Sequence, residues 1–242
     1  MQLIAAMLAI GACGKEESSP ASAVAAPSAT VAAQASAAAK PAVGALPAPP
    51  ASPALGGRTG ELVNPDESTM VFLYHELAGI PAPLPQWVEN DNRVTFAPGP
   101  EKAARREQVL AEIQGGLAVV RNIGFIRLTL NDQLSDYDAA YGEFTLRALA
   151  PSSTVAFRAL QQEITLRFGN GRTAQIWALP AAKAQVVQDS FGYGRAVVLD
   201  LLLKVTAVQP ATGGGAIVAD VLEYEIRTQQ GNKLLGRVQP AP

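Results

Sequence analysis

The chain has one cysteine and one histidine in 242 residues. A single cysteine excludes an intrachain disulfide framework and any cysteine-cluster zinc site. A single histidine excludes a His-rich metal centre. The charges nearly balance: 19 Lys and Arg face 21 Asp and Glu. Nothing in that balance argues for nucleic-acid binding. Aromatic residues are scarce at 6%, although 48% of the chain is hydrophobic, and all of them lie between Phe72 and Tyr224. A long apolar run is missing as well. The opening run stops at Cys13, short of the ~20 helical residues needed to cross a bilayer.

Alanine explains much of the mismatch between hydrophobic and aromatic content. Residues 18–57 hold 16 Ala, 7 Pro and 6 Ser, with Lys40 as the only charge. Prolines at 20, 27, 41, 47, 49, 50 and 53 interrupt any helix that alanine would favour. Large apolar groups that would offset the ordering entropy are lacking. The composition predicts a disordered tether, partly polyproline II, with transient helix allowed between Val24 and Lys40. A coil of this length spans about 35–40 Å, enough to hold a domain clear of a surface.

Residues 1–13 read Met-Gln-Leu-Ile-Ala-Ala-Met-Leu-Ala-Ile-Gly-Ala-Cys. The length suits the apolar region of a secretory signal. Ile10-Gly11-Ala12-Cys13 has a branched apolar residue, two small residues and the lone cysteine. In this the N-terminus resembles the signal of the bacterial lipoproteins, whose lipobox has that form. One departure is that no Lys or Arg precedes the apolar run. The resemblance implies cleavage before Cys13, a diacylglyceryl thioether on its sulfur and acylation of its freed amine, with palmitate as the kind of chain expected. Each buried acyl CH₂ contributes about 0.8 kcal/mol, so two or three chains anchor durably. Gly14 stands where Asp would favour inner-membrane retention, which points to the outer membrane, facing the periplasm.

The expected organisation is therefore a signal over 1–12, a lipidated Cys13 and tether over 13–60, and one globular domain over 61–242. The domain divides into a helical part, 61–116, and a β-rich part, 117–242. Asn64-Pro65-Asp66-Glu67 reads as a helix start, and Gly79-Ile80-Pro81 as its end. Pro81, Pro83 and Pro85 suggest an extended connector. A second helix is expected after Pro98-Gly99-Pro100, closed by Gly115-Gly116. From Leu117 the hydrophobic period becomes two. Ile126, Leu128 and Leu130 alternate with polar residues, as do Phe144, Leu146 and Ala148, and Ile164, Leu166 and Phe168. Gly169-Asn170-Gly171 suggests a hairpin turn, returning through Ile176, Trp177 and Leu179. A short helix is expected from Pro180 to Val187, and strands over 195–208, through Leu222–Ile226, and over 233–238.

For the long hairpin, matching apolar faces and charges favours Lys204 opposite Glu223 and Asp200 opposite Arg227, with Thr212–Gly215 as the loop. The fold class expected is α+β, with N-terminal helices followed by a mainly antiparallel sheet or sandwich.

Chemical motifs are weak. His75-Glu76 begins like a zincin helix, but the second His position is Gly79. Nor is there a Gly-x-Ser-x-Gly elbow for a Ser-His-Asp triad, so His75 reads as a structural or surface residue. Asp132, Asp136 and Asp138 could offer oxygen ligands to Ca²⁺, though the same stretch reads as an Asx-rich turn. Gly169-Asn170-Gly171-Arg172 and Gly192-Tyr193-Gly194-Arg195 look superficially like phosphate cradles without the required strand-to-helix context. Lys102, Arg105 and Arg106 share a helix with Glu101, Glu107 and Glu112, as a solvated face would. Trp87 and Trp177 fit core roles better than a ligand site. The reading is a non-enzymatic lipoprotein without cofactors. It meets the membrane through Cys13 and binds an unidentified envelope protein. Alternatives are a carrier of a small apolar or lipid ligand and a hydrolase using acids such as Asp136 and Asp138.

Overall fold

The computed structural model describes residues 55–191 and 194–241. The segments expected to be a signal and a tether, with Cys13, fall up to residue 54 outside the described residues, as do Gly192 and Tyr193. The described chain is α+β. Strand β1 (Gly60–Val63) precedes helices α1 (Glu67–Ala78), α2 (Leu84–Asn90), α3 (Asn92–Thr95) and α4 (Lys102–Val119). Strands β2 (Ile123–Gln133), β3 (Glu143–Thr145), β4 (Thr154–Ala159) and β5 (Gln162–Phe168) follow. Helix α5 (Gly171–Ala174), strand β6 (Ile176–Ala178) and helix α6 (Ala181–Gln188) lead to β7 (Ala196–Ala211), β8 (Gly214–Thr228) and β9 (Leu234–Val238).

Seven strands form one mixed sheet in the order β1-β2-β7-β8-β5-β4, with β9 also on β8. The pairs β1–β2 and β5–β8 are parallel and the others antiparallel. Helices followed by antiparallel strands is thus too simple a description. A strand comes before the helices, and α1 to α4 form the crossover that a parallel β1–β2 pair requires. Strands β3 and β6 make a separate two-stranded sheet.

Helix α1 sits at the centre. Asp66 caps it, its Oδ1 accepting the Thr69 amide at 2.7 Å. Gly79 ends it at φ 64°. Its residues Met70 to His75 and Leu77 are all buried, because the sheet covers one side and other helices the opposite side. Phe72 meets Trp87 of α2 at 5.8 Å. It also lies over Gly116 of α4, where a Cβ would come within 2.5 Å of its ring. Gly116 therefore serves helix packing, and α4 runs on to Val119 instead of closing at Gly115-Gly116. The proline-rich connector likewise contains a helix. Pro85 occupies the first turn of α2, where its missing N–H costs nothing.

The buried face of the sheet carries Ile126, Leu128, Ile164, Leu166, Leu199, Leu201, Leu203, Tyr224 and Ile226. Apolar side chains from α1 fill the space above it, with Met70, Leu73 and Leu77 fully buried. The opposite face is wet and carries cross-strand ion pairs. Arg127 lies 2.9 Å from Glu61 and 3.6 Å from Asp200.

The long hairpin differs from expectation by two residues at Asp200 and by three at Lys204, which lies between two bulges. Asp200 faces Glu225, Lys204 faces Asp220, and only Thr212-Gly213 separate the strands. The register is set by close packing. A Cβ on Gly214 would lie 2.0 Å from the Glu163 carbonyl oxygen of β5, and one on Gly215 would lie 2.7 Å from the Tyr74 ring. Both glycines are therefore strand residues beside β5 and α1, not loop. Two bulges offset each other. Leu222 is extra on β8, and Thr206 is extra on β7. Each shifts the inward residues by one, so the apolar faces stay matched along the hairpin.

The segment after β5 is also corrected. Gly169-Asn170-Gly171 makes no hairpin. Gly171 begins α5, and β6 leaves the large sheet to pair with β3. The alternation at Phe144, Leu146 and Ala148 yields only the three-residue β3, followed by a 3-10 turn over Arg147–Leu149. The final strand, β9, starts at Leu234.

Candidate functional site

A polar groove of about 650 Å³ opens where the end of β2, the start of β7 and the small β3–β6 sheet meet. Backbone bonds hold its walls together. The Leu134 amide donates to the Arg195 carbonyl at 2.9 Å, and the Ser135 amide to the Thr145 carbonyl at 3.1 Å. Ser135 Oγ accepts the Thr145 amide at 2.7 Å and donates to the Asp136 carbonyl at 2.7 Å. Beneath lies an aromatic stack. Tyr137 packs on Phe144 at 5.1 Å, and Phe144 on Trp177 at 5.5 Å. The Tyr137 hydroxyl donates to the Leu179 carbonyl at 2.7 Å. Trp177 also fills the space over Gly236 of β9. It is a buried pillar of the groove.

The three acids singled out in the sequence point to separate partners. Asp132 accepts the Gln133 and Ala148 amides at 2.8 and 3.0 Å. Asp136 forms an ion pair with Arg195. The guanidinium holds the Asp136 carboxyl below the usual range, and the carboxylate raises the pKa of Arg195. Asp138 Oδ1 accepts the Ala140 and Tyr141 amides at 2.9 and 3.2 Å, as an Asx turn does. Asp136 and Asp138 line the groove, while Asp132 stitches β2 to the 3-10 turn. Among the described residues, no three acidic, His or Cys side chains gather as a metal site would require.

Two groove cations escaped the sequence reading. Arg147 follows an alternation that placed it on an ordinary strand. The structure puts it in the 3-10 turn, lining the groove. Arg195 reads in the sequence only as the end of a glycine loop and the start of the strand over 195–208. Its side chain instead turns to Asp136.

The other candidates are structural. His75 is 6% exposed. Its Nδ1 lies 3.1 Å from the Ile80 carbonyl, its Nε2 3.0 Å from the Gln162 side chain, and Trp87 meets its ring edge-on at 5.1 Å. It pins the end of α1 to β5. Glu76 pairs with Arg58 at 3.2 Å. Arg105 and Arg106 pair with Glu101 and Glu89 at 3.8 and 2.5 Å, so the basic cluster on α4 is a neutralised face. Of the two glycine loops, the first binds its own sheet through Asn170. Gly192 and Tyr193 of the second lie outside the described residues.

The chain matches none of the protein-family models, curated proteins or solved structures compared with it. The site is therefore argued from its own residues.

Proposed function

We propose that the protein is a lipid-anchored component of a bacterial envelope, held by Cys13 and carrying a binding domain behind an Ala/Pro/Ser-rich tether. The observation that carries this reading is the segment Ile10-Gly11-Ala12-Cys13 followed by forty residues dominated by Ala, Pro and Ser. Among the described residues, no helix is long and apolar enough to cross a membrane. The outer membrane, facing the periplasm, is the proposed location.

The polar groove supports binding over catalysis as the role of the domain. Ser135 Oγ is engaged on both sides, and His75 is remote from it in the core. Asp136 is taken up by an ion pair, and one oxygen of Asp138 by a turn. The packed interior between α1 and the sheet favours a surface-bound partner over an enclosed apolar ligand. The test is fractionation of cells carrying Cys13→Ala. The variant should move to the soluble periplasmic fraction. Continued recovery with membranes would overturn lipid anchoring through Cys13.

A further inference from the structure

We infer that the groove beside Asp136 takes a short peptide with free ends, its carboxylate on Arg147 and its ammonium on Asp138. This rests on the reading of the groove as the domain's binding site.

Arg195 is neutralised by Asp136. That leaves one cation and one anion uncommitted. Arg147 lines the groove, and its guanidinium makes no hydrogen bond or ion pair among the described residues. Asp138, which also lines the groove, binds two amides through Oδ1 alone, and its Oδ2 makes no hydrogen bond among the described residues. Gln133 and Thr145 add an amide and a hydroxyl to the same walls, suited to peptide groups. The volume of about 650 Å³ is that of a small-ligand site.

Charge arithmetic selects the ligand class. Two arginines and two aspartates line the groove. A phosphate dianion would face both carboxylates at close range, which is unfavourable. A neutral sugar would desolvate Arg147 and Asp138 without pairing either charge. A zwitterion pairs both, and a guanidinium holds a carboxylate by two parallel bonds.

Calorimetric titration of the full chain in detergent with alanyl-alanine tests this. Saturable binding is expected. N-acetylation or C-amidation of the peptide should each weaken it about tenfold or more, as loss of a charged hydrogen-bonding partner does. Arg147→Gln should weaken the free acid to the level of the amide and leave the amide unaffected. Asp138→Asn should do the same for the amine and the acetylated peptide. Equal binding of capped and free peptides, or inorganic phosphate binding as tightly, would overturn the proposal. A photo-crosslinker at Ala139 in cells separates the two readings. Arg147-dependent crosslinks without dipeptide binding would discard the ligand class alone. Absence of both would discard the groove as the binding site too.

Discussion

Asn170 exchanges two hydrogen bonds with the backbone of Val221. Its Oδ1 accepts the Val221 amide at 2.9 Å, and its Nδ2 donates to the Val221 carbonyl at 3.0 Å. The contact fills a gap. One edge of β8 is paired to β5 up to Ala219 and to β9 from Tyr224, and the Leu222 bulge lies between. A side-chain amide there stands in for a strand residue. Asn170→Ala would leave both backbone groups unpaired in a half-buried position and should destabilise the domain by about 1–3 kcal/mol. Asn170→Asp keeps the acceptor and loses the donor, so its cost should also be substantial. Urea unfolding measures both.

The glycine-rich hairpin makes a sharper steric prediction. Gly214→Ala would place a Cβ 2.0 Å from the Glu163 carbonyl oxygen at φ 149°. Overpacking against backbone has no side-chain escape, so a loss of about 3 kcal/mol or more is expected. Gly99→Ala, with nothing within 4 Å of its Cβ, should be close to neutral. Thermal unfolding of the pair provides the comparison.

Strain sits in the β4–β5 turn. Leu160 and Gln161 form a two-residue loop at φ 52° and 59°, the geometry that Asn-Gly ordinarily supplies. Left-handed backbone costs a side-chain-bearing residue roughly 1–2 kcal/mol. Gln161 is exposed and has one side-chain bond, from Asn90 at 3.0 Å. Gln161→Gly should therefore stabilise the domain, by roughly 0.5–1 kcal/mol after loss of that bond and the added freedom of the unfolded chain. A lower melting temperature would contradict this.

Acid sensitivity should come partly from Glu225 on the wet face. It pairs with Arg237 and with Arg227, and Arg237 first, then Arg227, holds its carboxyl below the usual Glu range. Because the folded value is depressed, the stabilisation is present at neutral pH. It fades as pH falls from about 4.3, the ordinary Glu value, through the lower folded value. The stability gap between the native chain and Glu225→Gln should be open at pH 7 and close in acid. Denaturant titrations at a series of pH values measure it, and added salt should narrow it at pH 7.

Periodicity made the buried faces legible. Ile126 and Leu128, Ile164 and Leu166, and Leu199 to Leu203 all point inward as their alternation indicates. The pairing of strands was less legible, because it depends on contacts far apart in sequence. Gly214 and Gly215 read locally as loop, and only the approach of Glu163 and Tyr74 makes them strand. Gly169-Asn170-Gly171 reads as a hairpin for the same reason, since its partner, Val221, lies far along the chain. Strand β4 carried no alternation strong enough to mark it. At the groove, Asp136 and Asp138 stood out as acids, but only the fold brings Arg147 to the same walls and pairs Arg195 with Asp136. Elimination left His75 either structural or at the surface, and its burial against Gln162 was not legible.

The account turns on Cys13, and intact mass measurement of the native protein from purified membranes tests it most directly. The predicted result is a polypeptide beginning at Cys13, heavier than its sequence by a diacylglyceryl group and an N-linked acyl chain. A membrane-recovered protein that retains residues 1–12, or that begins at Cys13 with no added lipid mass, would contradict it.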